Sequence, residues 1–300
     1  MPASTSSEED RTPASTPLRP VVEALEQMTA LDSAGKTIGK AVRDRLRPGG
    51  FKDAISGTWF GHAVHPPLTD VVIGSFLGAS LLDLLGADDK SAQRLLGVGL
   101  AAALPTAVTG VNDWADTEIA DEAVRRVGLV HASVNVSALA LYAASLAARR
   151  SGSRGRGVAL TLAGTTVMTV SGYLGGHMSY VRGVGPNQTA FDPGPGEWTV
   201  VGDSATFKDG EPHAAVAEDT PVLLVRHGDG LHAIHNRCSH RGCSLSEGTV
   251  EGHTVTCPCH GSRFDVRDGS IIGGPATAPQ PAFETREREG KVEIRLSRRG

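Results

Sequence analysis

Four long stretches without charged residues constrain the fold of this chain more than any other feature. Residues 71–82, 95–112, 127–148 and 157–181 contain no Asp, Glu, Lys or Arg. A transmembrane helix needs about 20 mostly apolar residues. We therefore predict four membrane spans, near residues 68–86, 93–112, 127–148 and 157–178. The alternative is a soluble four-helix bundle, but its helices would need a polar face, and the last stretch offers mostly hydroxyl groups and glycine there.

The first 57 residues differ in composition from this apolar region. Residues 1–20 are rich in Ser, Thr, Pro and acidic side chains, and they bury too little apolar surface to offset ordering entropy, so we predict disorder. Two weakly amphipathic stretches follow, the second surrounded by basic residues such as Lys36 and Arg43. Such a helix can lie on anionic lipid, or it can be a solvated surface helix. The net charge of -4 argues against a nucleic-acid partner.

The last third of the chain has the pattern of a small all-β domain. Residues 182–197 form a linker rich in glycine and proline, and prolines end the preceding helical pattern. Apolar runs of strand length then alternate with the turn sequences Gly228-Asp229-Gly230 and Asp268-Gly269. The predicted strands lie at residues 198–201, 222–225, 231–234, 254–257 and 292–296.

The predicted protein is therefore an α+β chain of two domains, a four-helix transmembrane bundle followed by an all-β domain. Its predicted parts are a tail that is disordered and then amphipathic, the membrane domain, the linker and the β domain, at residues 1–57, 58–181, 182–197 and 198–300.

The four cysteines all lie between residues 238 and 259. They belong to two short motifs, Cys238-Ser-His240-Arg-Gly-Cys243 and Cys257-Pro-Cys259-His260-Gly-Ser262. Such clustering indicates a metal site, a redox pair or both, rather than a disulfide framework spread over the fold. Because each motif combines Cys with His, two loops of the β domain can close on one metal centre. A zinc site is the alternative, since Cys and His are also zinc ligands.

The two motifs resemble those of the Rieske [2Fe–2S] family. The resemblance covers residues 198–297 and includes Phe264-Asp265 and the loop with Gly274 and Pro275, in the same order. It implies that Cys238 and Cys257 bind one iron, and that His240 and His260 bind the other. Two neutral imidazoles in place of thiolates raise the potential to roughly -150 to +300 mV. It also implies that the histidines face the redox partner and couple proton transfer to electron transfer.

The remaining two cysteines match a disulfide found in the Rieske proteins of cytochrome bc complexes. The resemblance therefore implies a bond between Cys243 and Cys259, and two free buried thiols are the alternative. Ser262 matches a serine that donates a hydrogen bond to a bridging sulfide in high-potential members. Those members have a tyrosine where this chain has Phe264, so the expected potential lies below theirs.

The apolar half resembles a bacterial four-helix membrane domain of unknown function. The resemblance rests on the His62-x-x-His65-Pro-Pro opening and on Gly110-Val-Asn-Asp113-Trp114. Four spans would place both termini on one side of the membrane, together with His62, His65, Asp113, His131 and His177. Three interpretations stay open for these side chains: ligands of haem b, a quinone site, or polar residues that cap the spans.

These features predict a multi-pass protein of the bacterial cell membrane that carries single electrons, a component of an oxidoreductase system. The first hypothesis is a redox-chain component, with redox proteins or a quinone as partners. The second is a ferredoxin-like donor to an oxygenase or reductase, with the membrane half as anchor only. A structural or sensing role is the third. The basic loop 149–156 favours a cytoplasmic position for that loop and puts the cluster outside, whereas the basic segment 36–52 argues against this orientation.

Overall fold

The computed structural model describes residues 18–228 and 230–297. The predicted disorder of residues 1–17 and the predicted turn residue Asp229 lie outside this range. For the end of the same predicted segment the prediction is wrong, because Arg19 and Pro20 begin helix α1. Within it, α-helices occupy the N-terminal part and β-strands the C-terminal part, which confirms the two-part α+β architecture. The helices are α1 Arg19–Glu26, α2 Asp32–Arg45, α3 Gly50–Ser56, α4 His65–Leu84, α5 Asp89–Thr117, α6 Glu122–Arg150 and α7 Arg154–Tyr180.

Helices α4 to α7 correspond to the four predicted spans, and each is long and apolar enough to cross a membrane. All four begin earlier than predicted, and α5, α6 and α7 also end later, because polar residues complete their terminal turns. Asp88 accepts a hydrogen bond from Ser91 N at 2.9 Å, and Asp121 accepts from Ala123 N at the same distance. Such N-caps satisfy backbone donors that would otherwise lack partners. A search for apolar residues alone cannot detect these turns.

Aromatic rings packed against glycines hold the four long helices together. Phe76 of α4 stacks on Tyr142 of α6 with ring centroids 3.7 Å apart. A Cβ at Gly99 would lie 2.5 Å from the Phe76 ring, and one at Gly164 would lie 2.9 Å from the Tyr142 ring. Close helix contacts of this kind are typical of membrane helices, which associate through small residues.

At the end of the bundle far from the β domain, Arg149 is buried. It donates hydrogen bonds to Asp83 and Asp89, which neutralise its charge. The basic character of the 149–156 loop therefore comes from Arg150, Arg154 and Arg156, and Arg154 donates to Ala87 O.

Helices α1 to α3 pack on the opposite end of the bundle, next to the β domain. Arg126 of α6 donates to Asp32 of α2 at 2.7 and 2.8 Å, and Arg125 donates to Glu118 at 2.7 Å. Helix α2 approaches the bundle through Gly35 and Gly39, which are buried, whereas Ile38 of the predicted apolar stripe is 45% exposed. Glycine permits this close approach because it has no side chain to clash.

The C-terminal domain consists of two antiparallel sheets that pack face to face. The strands are β1 Thr199–Asp203, β2 Pro212–Ala217, β3 Thr220–His227, β4 Gly230–His235, β5 Thr249–Glu251, β6 Thr254–Thr256, β7 Arg263–Asp265, β8 Ile271–Gly273, β9 Ala282–Arg288 and β10 Lys291–Leu296. Their orders are β1-β10-β9-β4-β3-β2 and β5-β6-β7-β8. The five predicted strands correspond to β1, β3, β4, β6 and β10.

The core between the two sheets positions the two cysteine motifs. Leu223, Val225 and Ile234 of the large sheet pack with Val255 and Phe264 of the small sheet. Strands β4 and β6 run out of this core in the same direction, and each leads into one of the two motifs. The two motif loops consequently meet at one end of the sheet sandwich.

Much of the predicted linker belongs to the β domain. Gln188 N donates to Ser239 O at 3.1 Å, and Asp192 accepts hydrogen bonds from Thr220 and His235. Leu296 N donates to Pro195 O at 2.7 Å. Residues 182–187 are therefore the part of the linker that precedes these attachments.

Candidate metal centre

The two cysteine loops fold alike. In the first, Gly242 N donates to Cys238 O at 2.8 Å, and in the second Gly261 N donates to Cys257 O at 3.1 Å. Both glycines have a positive φ, 80° and 78°, which closes each loop in a conformation that side chains disfavour. The Cys and His of each loop are thus held by a backbone of similar conformation.

A third loop, residues 273–278, ties the two cysteine loops to each other. Ser239 Oγ of the first loop donates to Ala278 O at 2.7 Å. Ser262 Oγ of the second loop accepts from Ala276 N at 3.0 Å. Gly274 and Pro275 belong to this third loop, so they lie beside both motifs.

A disulfide joins Cys243 of the first loop to Cys259 of the second. This is the bond that the family resemblance implied, and the alternative of two free thiols is wrong for this structure. The bond closes a segment with a sequence separation of 16. It fixes the distance between the two motif loops at their outer ends.

We expect the double substitution Cys243→Ser/Cys259→Ser to make the loops lose their cofactor faster. A cross-link across a segment of this length is worth about 3 kcal/mol through restriction of the unfolded chain. The measurement is the decay of visible absorbance during incubation in air at a fixed temperature, compared with the unsubstituted protein. Equal decay rates would contradict a stabilising role for the bond.

The four predicted ligand residues lie close together, next to the disulfide. Cys238 and Cys257 are 1% and 2% exposed and are not part of the disulfide. Both side chains belong to the same buried cluster in the core between the sheets. The His240 and His260 rings lie edge to face with centroids 5.1 Å apart. The structure therefore brings together two sulfur and two imidazole donors.

The surroundings of these donors fit a bound metal centre. His240 Nδ1 and His260 Nε2 are buried, and neither has a hydrogen-bond partner within the described part of the chain. A buried polar atom without a partner is costly, and a metal bond would satisfy it. Burial lowers the pKa of His240 well below its ordinary value and also lowers that of His260. Both rings are therefore neutral, the form that ligates metals.

Sulfur atoms of three cysteines also lie close together, those of Cys243, Cys257 and Cys259 within 4.8 Å. Two of these sulfurs are bonded to each other in the disulfide and cannot act as thiolate ligands. The donor set that remains is mixed, with two thiols and two imidazoles. Such a set suits a cluster with sulfur ligands on one iron and nitrogen ligands on the other.

Ser262 and Phe264 are both fully buried next to this site. Phe264 packs in the same apolar cluster as Cys238 and Cys257. The Ser262 oxygen accepts from Ala276 N, which leaves the hydroxyl proton available as a donor.

We expect Ser262→Ala to lower the reduction potential by tens of millivolts, because it removes a donor that stabilises the more negative reduced cluster. For a one-electron couple, about 59 mV corresponds to a tenfold change in equilibrium constant. Phe264→Tyr should shift the potential upward if its hydroxyl reaches a sulfur atom. A redox titration followed by EPR measures both shifts, and unchanged potentials would mean that neither side chain faces the cluster.

The cluster loops contact the membrane half directly. His240 Nε2 lies 3.7 Å from Asp116 Oδ2 at the end of α5, and Lys52 Nζ of α3 donates to Asp116 Oδ1 at 2.6 Å. As a result His260 is only 6% exposed, and the side chain of His240 only 9%. In this arrangement the face that carries the two histidines is covered by α3 and α5.

Two glycines of the β domain make this close approach possible. A Cβ at Gly274 would lie 2.0 Å from Thr58 Oγ1, and one at Gly261 would lie 2.8 Å from Pro48. Thr58 Oγ1 also donates to Ala276 O at 3.1 Å. Gly274 is thus required by its contact with the membrane half as well as by its place beside the cluster loops.

A small cavity lies between the two halves at His240. It has a volume of about 30 Å³ and is lined by residues that include Ser56, Asp113, His240 and Arg241. This volume suits one water molecule. A quinone ring does not fit there in this arrangement.

The histidines predicted near the membrane surface form their hydrogen bonds with different helices. His65 Nδ1 lies 3.1 Å from Thr106 O of α5, whereas His131 Nδ1 lies 2.9 Å from Ser171 O of α7. Asn135 Nδ2 lies 3.0 Å from His131 Nε2. His131 is nine residues into α6, about 14 Å from its start, and so lies deeper than the predicted surface position.

The other predicted members have partners elsewhere in the chain. His177 Nε2 lies 2.8 Å from Glu26 Oε1 of α1, and His62 is exposed beside Phe60. Asp113 alone among this set lines the cavity at the cluster loops. The sequence analysis did not single out Lys52, Thr58 and Asp116: Thr58 and Asp116 contact those loops, and Lys52 pairs with Asp116. The only available signal was an acidic residue one turn beyond Asp113 at the end of an apolar stretch.

Comparisons with known proteins identify both halves. Residues 197–284 match the Rieske [2Fe–2S] domain family, and residues 61–188 match a family of predicted membrane proteins, DUF2231. The anthranilate 1,2-dioxygenase ferredoxin subunit of Burkholderia cepacia is 39% identical over 100 residues, which are 33% of this chain and 93% of that protein.

Two further similarities concern the same region. The cytochrome b6-f complex iron–sulfur subunit of Chlorobaculum tepidum is 33% identical over 79 residues, which are 26% of this chain and 42% of that subunit. The ferredoxin of carbazole 1,9a-dioxygenase from Nocardioides aromaticivorans, a solved structure, is 29% identical; the match covers 33% of this chain and 98% of that one, with a TM-score of 0.32. The chain belongs to the Rieske [2Fe–2S] family and carries a DUF2231 membrane-protein domain before its Rieske domain.

Proposed function

We propose that Cys238, Cys257, His240 and His260 hold the [2Fe–2S] cluster of this membrane-anchored Rieske electron-transfer protein. The observation that carries the proposal is the convergence of two buried thiols with two imidazoles whose buried nitrogens lack partners in the described residues. When bound, the cluster supplies a one-electron couple whose potential is raised by its imidazole ligands. The protein therefore accepts and donates single electrons.

The residues around the site exclude water and fix the ligands. The disulfide and the third loop hold the two ligand loops together, and the core side chain of Phe264 closes the site from behind. Asp116 faces the ring of His240 from the membrane half. A carboxylate behind a metal-bound histidine orients the ring and raises its basicity. The membrane half thus places a carboxylate near one ligand, 3.7 Å from His240 Nε2, which is longer than a hydrogen bond.

A place in a redox chain with a quinol as reductant is the first candidate for the electron source. The similarity to a cytochrome b6-f subunit and the presence of the disulfide support it. The cavity of about 30 Å³ at His240 leaves no room for a quinol while the two halves are in contact. A quinol-linked reaction therefore requires the Rieske domain to move away, with residues 182–187 as the connecting segment.

A donor to an oxygenase or reductase is the second candidate. It is supported by the similarity to an oxygenase ferredoxin subunit, of which this chain covers 93%. In that case the membrane half holds the carrier at the membrane surface. The two candidates differ in whether quinol reduces the cluster.

One experiment on the full-length protein in detergent tests the proposal. We expect about two iron atoms and two acid-labile sulfides per chain, with an EPR signal on reduction. Stoichiometric zinc without sulfide would refute the cluster. Addition of a quinol then separates the two candidates, because only the first predicts reduction of the cluster without a second protein.

Difference spectroscopy on the same sample tests for haem b. The ring nitrogens of His131 have partners on α7 and at Asn135, and His65 Nδ1 has partners on α5, which supports a structural role for both rings. We expect no haem band and unchanged cluster reduction in the His65→Ala/His131→Ala variant. A haem band that this variant loses would instead identify a haem site.

We further propose that the Rieske domain lies outside the cytoplasm. Arg150, Arg154 and Arg156 put positive charge at the opposite end of the bundle, and positive loops favour the cytoplasm. The disulfide suits an oxidising compartment. Protease treatment of intact spheroplasts should then remove the C-terminal domain, whereas its protection would place the domain inside.

A further inference from the structure

Three histidines meet in the Rieske domain away from the proposed cluster ligands. His227 ends β3, His232 lies in β4, and His253 lies in the turn between β5 and β6. The rings of His227 and His253 have centroids 4.6 Å apart, and those of His232 and His253 are 5.2 Å apart. Residues from both sheets therefore contribute to one group of imidazoles.

The register of the strands explains why these side chains meet. His232 lies opposite Val225, and His227 is two residues beyond Val225 on the same strand. Alternate residues of a strand share a face. Val225 packs in the core between the sheets, so His227 and His232 point toward the small sheet as well. The β5–β6 turn brings His253 to them at the rim of this core.

This group lies at the end of the domain opposite the cluster loops. Strand β4 runs from the group to the first cluster loop, and β6 runs from His253 to the second. Six residues separate His232 from Cys238, which corresponds to about 20 Å of extended chain. Binding at the histidines is therefore separate from cluster binding.

The chemistry of the group suits a divalent transition metal. Imidazole is a preferred ligand of zinc, copper and nickel. Two imidazoles on one tetrahedral ion, with bonds of about 2.0–2.1 Å, have ring centres about 5 Å apart. The observed separations are close to this value. His253 Nδ1 is buried and has no hydrogen-bond partner among the residues described, so a donor atom is available.

The charges around the group permit a cation. Arg267 is the nearby positive side chain, and it is paired with Asp265, to which it donates hydrogen bonds of 2.5 to 3.2 Å. Asp265 lies opposite Thr254, next to His253. Burial, His253 and Arg267 lower the pKa of His232, so this ring is neutral at pH 7. The rings of His227 and His232 each stand edge to face with the ring of His253, at 74° and 81°, and a common ion would require side-chain rotations that direct one nitrogen of each ring toward it.

We propose that His227, His232 and His253 form a second metal site, which binds one Zn²⁺ or a similar divalent transition-metal ion. Three imidazoles fill three of the four positions of a tetrahedral ion and leave the fourth to water. Half-exposed His232 and exposed His227 give the ion access from solvent.

Equilibrium dialysis of the cluster-loaded, full-length protein against Zn²⁺ tests this site. We expect one saturable zinc per chain, and a rise in the unfolding temperature of the Rieske domain as zinc binds. His253→Gln and His227→Asn/His232→Asn should each weaken zinc binding at least about tenfold. The matched control His213→Asn changes a histidine of β2 that lies outside the group and should leave binding unchanged.

Two results would overturn the proposal. The first is the absence of saturable zinc binding to the protein at millimolar zinc. The second is binding of equal strength in the His253→Gln and His227→Asn/His232→Asn variants. The EPR signal of the cluster, recorded before and after dialysis, shows whether zinc has displaced iron, and zinc taken up only with loss of that signal counts against the proposed site.

Discussion

Replacing His260 by alanine is expected to abolish the EPR signal of the reduced cluster in the purified protein. His260 would supply one of the two nitrogen ligands of an iron, and its buried ring has no other polar partner at Nε2 within the described residues. Alanine would leave that iron open to water, and the cluster would be lost on purification. The measurement is iron and acid-labile sulfide per chain, together with the EPR spectrum.

Two controls show whether the loss of the cluster is specific to His260. His213→Ala removes a histidine of the same domain far from the ligand loops and should retain full iron content. The helical signal in circular dichroism should stay the same in both variants, because α4 to α7 have their own core. Full iron, sulfide and EPR signal in His260→Ala would show that this residue is not a ligand.

Replacing Lys52 by alanine is expected to loosen α3 from α5, the two helices of the membrane half that cover the cluster loops. The side chains of Lys52 and Asp116 are 4% and 1% exposed and form an ion pair of 2.6 Å. Removing one partner of a buried pair leaves an uncompensated charge and costs about 3–5 kcal/mol. Asp116 would then gain water, and movement of α3 away from α5 would admit this water and uncover the histidine face.

Limited trypsin digestion measures whether the Rieske domain then leaves the membrane half. The cleavage to follow is the one after Arg182, which starts the connecting segment. Arg182 is now paired with Asp121 at 2.8 Å. We expect cleavage to be at least about tenfold faster in Lys52→Ala, since tenfold corresponds to only about 1.4 kcal/mol. Lys40→Ala is the matched control: Lys40 is 74% exposed, pairs with Asp44 one helical turn away, and such pairs contribute little.

Equal cleavage rates in the Lys52→Ala and Lys40→Ala variants would mean that the ion pair does not keep α3 in place over the cluster loops. The double variant Lys52→Met/Asp116→Leu adds a second comparison. It removes both charges, so it should restore slow cleavage if the uncompensated charge is the cause of separation.

The covered position of His240 and His260 has a consequence for electron transfer. A partner protein cannot contact these rings while α3 and α5 cover them. Transfer to a separate protein or from a quinol therefore requires the Rieske domain to leave its contact with Asp116. The Lys52→Ala variant should accordingly react faster with an external electron donor than the unsubstituted protein does.

The sequence by itself determined the features that depend on composition and short spacing. Four charge-free stretches predict the four long helices, because a membrane helix must be apolar along its whole length. Two motifs with Cys and His in a fixed order predict the Rieske domain, because the cluster demands those ligand types on two loops. The strands β1, β3, β4, β6 and β10 were predictable for a similar reason, since each is a short segment that contains apolar or β-branched residues and is bounded by turn residues.

Only the tertiary structure decided which residues cover the cluster loops. Lys52 and Asp116 are separated by 64 residues in the chain. From the sequence alone, a charged residue at either position is predicted to be a solvated surface residue, whereas the fold buries both. His65, His131 and His177 were grouped by counting spans, but each forms its hydrogen bonds with a different helix. His227, His232 and His253 were not grouped at all, because register between strands brings them together. Spacing along the chain records local geometry, whereas contacts between distant segments depend on packing, which no short pattern contains.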